Sequence, residues 1–398
     1  MNPASRPIWT RAMSRREFVR ATSSAGAVAA AGLSRLPAQP GAKFKAAIIG
    51  HTGRGDYGHG LEGIFNNRPN IEIVALADPD PNGRARTAAK IGAARTYADY
   101  GEMLAKERPQ LVSIAMRQAD QHHAIALAAL SAGAHIYCEK PFTTAPVEAD
   151  ELRAEAEKRR LKIAVAHTMR MQPVIVQLKQ AIAEGVLGDL VELRAFGKQD
   201  TRAGGEDMMV LGSHLFDLMR LFLGDPLDCS ARVLWQGRDI TPADRRLVTD
   251  NVGYVAGDQV FAQFAFRNGV NATFTSDAKL RETIGHWGIE IFGSKCAARI
   301  NCDIAPNVFI RRSTPWKAEG RTDTWHPLDA ALLKSPLPRN PGPVGDWLEA
   351  IAKDGEPECS GRNGAWAVEM VMAVYQSALS GQRVRFPLSS RAHPLAAA

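Results

Sequence analysis

Two short stretches of the sequence combine residue types able to move a proton. In Cys138-Glu139-Lys140-Pro141 a lysine follows an acid at the end of the apolar run His135–Cys138. A lysine in such a place can donate to a hydroxyl or carbonyl oxygen, and burial that lowers its pKa turns it into a proton acceptor. Away from a strand end, an adjacent Glu-Lys pair is an ordinary surface salt bridge. In Gly212-Ser213-His214-Leu215-Phe216-Asp217 a histidine interrupts the apolar stretch Met208–Leu223. If that stretch is helical, Asp217 lies three residues on along the same face. A histidine oriented by a carboxylate can take a hydroxyl proton while hydride leaves the same carbon. A lone histidine on an apolar face is equally well a core residue. A third stretch, Lys43–Gly55, ends an apolar run in Gly50, Gly53 and Gly55. Glycines let a backbone turn sharply and approach a diphosphate, and a following helix offers free N–H groups.

The elements around these stretches have two textures. From residue 43 short apolar runs recur at Ala46–Ile49, Ile71–Ala77, Leu111–Met116, His135–Cys138 and Ile163–Ala166. Such runs suit strands covered on both faces. Helical stretches alternate with them, among them Gln121–Ala132 before Gly133, and Pro146–Arg160. Repeated strand–helix–strand units predict an α/β domain with a doubly wound parallel sheet, whose ligands bind beyond the strand carboxyl ends. Lys140 lies at one such end. Asp78 ends the second run a little over twenty residues past the glycines. There an acid accepts from the adenosine ribose and disfavours a 2′-phosphate, which favours NAD over NADP. Arg54, within reach of a phosphate, pulls the other way. Two glycine registers compete: Gly50-x-Thr52-x-x-Gly55, favoured because Gly50 ends the strand, and Gly53-x-Gly55-x-x-Gly58. A short helix through Leu61, Ile64 and Phe65 is expected next.

After about residue 168 alternation takes over. Val260, Ala262, Phe264 and Phe266 alternate with more polar neighbours, Asn268-Gly269 follows, and Val270, Ala272 and Phe274 resume the period of two. This is a hairpin of an antiparallel sheet with one buried face. Trp287, Ile289 and Ile291 extend it. Met208–Leu223 and Ala365–Leu379 read as helices, and Ser313–Pro343 as a long loop able to reach a neighbouring subunit.

Composition excludes several classes. Of a formal charge of +7, six arginines against one glutamate fall in residues 1–40, so the body is near neutral. No basic stripe interleaved with aromatics points to nucleic acid. Ser14-Arg15-Arg16-Glu17-Phe18-Val19 followed by the mild apolar stretch Ala21–Leu33 reads as a twin-arginine export signal, too short to span a bilayer. The expected organisation is a leader over 1–41, a cofactor domain over 42–167 and a second domain over 168–398. The twin-arginine export machinery carries folded proteins, which suggests a cofactor loaded beforehand and retained. The expected location is periplasmic or extracellular. The five cysteines show no paired spacing, although a Cys296–Cys302 bridge across a hairpin is conceivable. His122 and His123 point in different directions on a helix, and no other ligand spacing appears, so no metal is expected.

On these residues the chain resembles the Gfo/Idh/MocA oxidoreductases. The likeness is carried by Ala47-Ile48-Ile49-Gly50, Ala77-Asp78, Ala129–Gly133, Cys138-Glu139-Lys140-Pro141-Phe142, Gly212-x-His214-x-x-Asp217 and the closing Ser377–Pro387. The resemblance implies an N-terminal Rossmann domain and a C-terminal α+β domain on a large, open, mainly antiparallel sheet. It implies NAD, with NADP as the variant, a sugar or polyol substrate, and a homo-oligomer. Lys140 and His214 would be catalytic. Gly50, Thr52, Gly53, Arg54, Gly55, Asp78, Glu139 and Lys140 would bind cofactor. Two departures stand out. The loop Ala115–His122 is longer and more polar than the family's, leaving only His122 as a carried-over cofactor contact. The Asp usually four residues before the histidine is Val210, and Asp207, Asp217 or Arg170 would have to compensate, with Arg170 and Asp217 assigned to substrate. The leading expectation is an exported NAD(P)-dependent oxidoreductase transferring hydride to or from a carbinol. The alternatives are a glycosidase or lyase that uses NAD transiently, and a non-catalytic sugar-binding protein.

Overall fold

The computed structural model describes residues 43–281, 287–312 and 324–396. The expected leader and the first part of the Ser313–Pro343 loop lie outside these residues. Strand β1 (Phe44–Ile49) is joined by β2 (Ile71–Ala77), β3 (Arg95–Tyr97), β4 (Leu111–Ile114), β5 (His135–Cys138) and β6 (Ile163–Val165) in one sheet of order β3-β2-β1-β4-β5-β6. Every ladder is parallel. The inner strands are buried because helices cover both faces. These are α1 (Pro81–Ile91), α2 (Tyr100–Glu107), α3 (His122–Ser131) and α4 (Pro146–Arg159). Their ends follow local chemistry. Asp80 caps α1 by accepting from the Gly83 amide, Asp99 caps α2 through the Glu102 amide, and Gly92 closes α1 at φ 69°. The strand order reverses between β1 and β4, which opens the crevice where such sheets bind ligands. Strand β3 escaped the sequence reading because it is short, largely exposed and has no apolar run.

One expectation fails here. No α-helix follows the glycine loop. Residues 51–56 form a tight hairpin closed by a His51–Asp56 bridge, with Gly53 and Gly55 at φ 80° and 84°. A 3₁₀ turn, Gly58–Gly63, comes next and is broken at His59 (φ 50°) and Gly60 (φ 75°). Leu61 and Phe65 are still buried, so the apolar positions were correct and the helix type was not.

The second sheet is mixed and mostly antiparallel. It holds β7 (Leu190–Phe196), β8 (Asp228–Trp235), β9 (Arg238–Asp239), β10 (Gln259–Ala265), β11 (Asn271–Asp277), β12 (Gly288–Gly293), β13 (Cys296–Asn301), β14 (Asn307–Arg312), β15 (His326–Pro327) and β16 (Val384–Arg385). The β10–β11 hairpin turns through Asn268 (φ 62°) and Gly269 (φ 75°), the conformation its Asn-Gly pair favours. Among the described strands of this sheet, only β7 and β11 pair in parallel. Cys296 begins β13 and Cys302 directly follows its end, so the two sit at opposite ends of one strand, roughly 20 Å apart. A bridge between them is excluded, and both are free thiols.

Helix α5 (Pro173–Ala183), α6 (Ser213–Leu223), α7 (Gly342–Lys353) and α8 (Gly361–Ser380) pack near this sheet. The segment leading into α6 is helical from Gly205, but Met208–Gly212 winds as a π-helix. Phe216 of α6 meets Phe264 and Phe274 edge-on at 5.3 and 5.0 Å, fixing α6 to β10 and β11. The Val165 amide of β6 donates to Cys359 just before α8, so the chain's last long helix is tied to the parallel sheet.

Candidate active site

Lys140 sits just beyond β5, 6% exposed, with Nζ donating to the Val210 carbonyl at 3.3 Å. Val210 lies in the π-helical stretch, where the usual i→i+4 pairing is interrupted, so its carbonyl is available to a side chain. The next peptide bond, Lys140–Pro141, is cis. Burial lowers the Lys140 pKa below that of a free lysine, and the neighbouring Glu139 charge offsets part of this. Glu139 is fully buried. Its Oε1 lies 2.8 Å from His59 Nδ1, and its Oε2 has no partner among the described residues.

His214 is 7% exposed at the start of α6. Burial first, then the Lys140 charge and the neighbouring imidazoles of His167 and His59, push its pKa well below 6.5. The expected pairing with Asp217 is absent. Asp217 Oδ1 instead accepts from Arg170 Nη1 at 2.8 Å in a buried ion pair, and His214 Nδ1 is left without a partner among the described residues. A guanidinium in a dry site takes the carboxylate because its own charge would otherwise be stranded. Asp207 does not compensate for Val210 either. It is fully buried and accepts from the Lys198 and Gln199 amides and from Ser276 Oγ, bracing the chain between β7 and β11.

Sequence reasoning missed His167. It follows β6 at the same carboxyl edge as Lys140, is 1% exposed, and meets the His214 ring edge-on at 5.2 Å. Burial, with the Lys140 and Arg170 charges, lowers its pKa to about 3. The signal was available, since Ala166-His167 ends an apolar run as Glu139-Lys140 does. His59 had no such signal, because only the broken turn at Gly60 brings it to Glu139. Trp287 packs edge-on to His214 at 5.9 Å.

The cofactor end needs more correction. Asp78 does not face outward to a ribose. It is fully buried and accepts from Thr52 N (3.1 Å), Thr52 Oγ1 (2.6 Å), Tyr57 Oη (2.7 Å) and Asp80 N (3.0 Å). Burial and the Asp78 carboxylate together drive the Tyr57 pKa far up, so Tyr57 stays a donor. The Tyr57 ring explains Gly50, because a Cβ there would lie 2.0 Å from the ring. At Gly55 a Cβ would crowd the Gln118 amide at 2.9 Å, so Gly55 seats the hairpin on the loop after β4. Gly53 Cα faces open space. Arg54 is held by Asp120 and by Gln118 Oε1, half-exposed, rather than standing free for a phosphate. His122 is fully buried with its ring nitrogens 2.8 Å from the Pro141 and Met116 carbonyls. It braces those two loops and has no nitrogen left for a cofactor.

The crevice at the β1/β4 reversal is lined by Ile49, Gly50, His51, Ala77, Met116 and Ile125 and encloses about 190 Å³. It is a mainly apolar slot at the strand ends, suited to one flat base of a dinucleotide but too small for the whole molecule. The other end has Glu139 and Lys140 on the same sheet edge, two strands away. Residues 44–167 match the model described as "Oxidoreductase family, NAD-binding Rossmann fold", and residues 179–386 match its "C-terminal alpha/beta domain". The chain belongs to the Gfo/Idh/MocA oxidoreductase family. Its N-terminal domain is the NAD-binding one.

Among relatives, D-apiose dehydrogenase of Paraburkholderia graminis is 26% identical, the alignment covering 86% of this chain and 89% of that protein. The 1,5-anhydro-D-fructose reductase of Ensifer adhaerens is 24% identical over 78% and 90% of the two chains. A levoglucosan dehydrogenase solved with NADH and levoglucosan shares the fold at a TM-score of 0.67 and 19% identity, covering 87% of this chain and all of that one.

Proposed function

We propose that this Gfo/Idh/MocA oxidoreductase is exported and moves hydride between a sugar or polyol carbinol and a nicotinamide cofactor that it retains. The observation that carries the reading is Lys140. Its ammonium is buried at the carboxyl edge of the NAD-binding sheet, its one hydrogen bond among the described residues goes to a main-chain carbonyl, and a neutral histidine lies in the same cluster. A buried ammonium so sparsely bonded is suited to donate to a substrate oxygen. The relatives named for apiose and anhydrofructose support a sugar as substrate.

When bound, NAD supplies the hydride acceptor. The protein's own groups handle the rest. Lys140 donates to the carbinol oxygen and stabilises the charge that builds there as its proton leaves. The His214 imidazole, kept neutral by burial and by the Lys140 charge, has a lone pair to take that proton. The Arg170–Asp217 pair holds the loop after β6 against α6 and so fixes the site from behind. No carboxylate among the described residues orients His214, so stabilisation of the charge on the carbinol oxygen leans more on Lys140 than the family pattern implies. Twin arginines at Arg15 and Arg16, ahead of a mild apolar stretch, support a leader over 1–41, with a cofactor domain over 42–167 and a substrate domain over 168–398.

The test is mass spectrometry of nucleotide copurifying with the mature protein, then a panel of sugars and polyols followed by reduced-nicotinamide absorbance and by bond cleavage. Bound NAD(H) and a carbinol-dependent absorbance change are expected. Absence of both would refute the reading, and cleavage without net reduction would move it to the transient-oxidation class.

A further inference from the structure

His167 is the buried titratable group that this mechanism does not use. Its backbone is fixed, the amide donating to Val165 O at 2.7 Å and the carbonyl accepting from Cys359 Sγ at 3.6 Å. Its ring packs edge-on against His214. Neither Nδ1 nor Nε2 has a hydrogen-bond partner among the described residues, although the ring is 1% exposed. Buried polar atoms in native proteins are nearly always paired, so an orphan needs an explanation. Two further orphans lie in the same cluster. His214 Nδ1 and Glu139 Oε2 are unpaired as well, and both flank Lys140.

A neutral imidazole carries one donor and one acceptor. The ligand that completes His167 therefore brings both kinds of group, and hydroxyls do so. The His167 and His214 ring centres are 5.2 Å apart, a separation that substituents on adjacent carbons of one sugar ring can bridge. The pair is buried, His167 at 1% and His214 at 7% exposure. Trp287, partly buried, packs edge-on against His214 on this cluster.

We propose that His167 holds the hydroxyl next to the reacting carbinol, so that the site takes cyclic polyols with vicinal hydroxyls and rejects their deoxy analogues. The assignment rests on reading the Lys140–His214 cluster as the substrate site. Sites built around a buried hydrogen-bonding group discriminate strongly against an analogue that lacks the matching group, because the protein group is then stranded. An apolar wall at residue 167 would tolerate the deoxy sugar.

The experiment is calorimetric titration of the protein loaded with NADH. The probes are 1,5-anhydro-D-glucitol, methyl β-D-glucopyranoside and myo-inositol, then the monodeoxy analogues of the best binder. In the wild type, removal of one vicinal hydroxyl should weaken binding by about 100-fold or more. In His167→Phe, which keeps a ring against His214, parent and deoxy ligand should bind within about threefold of each other. His167→Leu gives the same readout should the phenylalanine variant not retain NADH. Equal discrimination in wild type and variants overturns the assignment, as does failure of every probe to bind. In a parallel assay with NAD+ in place of NADH, discriminating binding without hydride transfer removes the oxidoreductase reading and supports the role of His167. Hydride transfer with unchanged discrimination does the reverse.

Discussion

Replacing Asp78 separates two accounts of the glycine loop. In one the carboxylate holds the adenosine ribose. In the structure it holds the loop itself, through Thr52 N, Thr52 Oγ1, Tyr57 Oη and Asp80 N. Hydrogen bonds to a charged group are worth about 1.5–3 kcal/mol each, and a stranded buried donor costs a similar amount. These contributions are not additive, and water would enter the space left in Asp78→Ala. A loss of about 3–5 kcal/mol is therefore expected. For a domain of this size that is a fall in Tm on the order of 10 °C. Asp78→Asn keeps an acceptor for Tyr57 but turns an amide N–H₂ toward Thr52 N, and should lose about 1–2 kcal/mol. The assay is scanning calorimetry, with NAD and NADP affinities measured on the same preparations. The loop account expects Tm to fall and both nucleotides to weaken together. An Asp78→Ala protein with unchanged Tm and a tenfold shift of preference toward NADP would refute it.

Gly50→Ala places a methyl 2.0 Å from the Tyr57 ring, so it should eject Tyr57 and reproduce much of the Asp78→Ala phenotype in calorimetry; a variant as stable as wild type contradicts the packing. In the proposed reaction oxidation needs neutral His214, whose pKa lies well below 6.5, so kcat/KM should not fall as pH drops through 6.5. It should fall on the alkaline side below pH 10.5, where Lys140 loses its proton early, and a pH–rate profile with a limb at 6.5 contradicts this. His135, His167 and His393 have folded-state pKa values of about 4, 3 and 4 against 6.5 for free histidine, mainly through burial. The unfolded chain then binds protons the folded one does not, so their contribution is complete above pH 6.5 and is lost as pH falls toward 4. Each group removes up to about 1.4 kcal/mol per pH unit in that window. Tm should drop between pH 7 and 5, less steeply in His167→Phe, and a flat Tm contradicts the burial of these rings.

Five strands of the parallel sheet were legible because they are short, nearly continuous apolar runs, whereas β3 has none. The β10–β11 hairpin was legible from Asn268-Gly269 and the period of two around it. The placement of Lys140 followed from the rule that ligands gather at strand carboxyl ends. The contacts between distant stretches were not legible. Whether Asp217 turns to His214 or to Arg170 depends on where the loop after β6 arrives, and no spacing within α6 encodes that. Asp78 has the position of a ribose ligand, but Tyr57, twenty-one residues earlier, folds back to claim it. The π-helical turn at Met208–Gly212 leaves no mark in an apolar run, yet it supplies the carbonyl that anchors Lys140. His167 was legible only from its place at the end of the apolar run Ile163–Ala166, since no neighbouring acid makes it a motif.

The central claim is that hydride leaves a carbinol beside Lys140. Its most direct test is a single turnover of the purified protein with a substrate deuterated at the carbinol carbon, followed by mass spectrometry of the bound nicotinamide. Deuterium on the reduced cofactor of the wild type, and none in a Lys140→Ala variant that still holds its nucleotide, is the result expected. Transfer at the same rate in Lys140→Ala, or no label on the wild-type cofactor with any sugar or polyol that binds, would contradict the account.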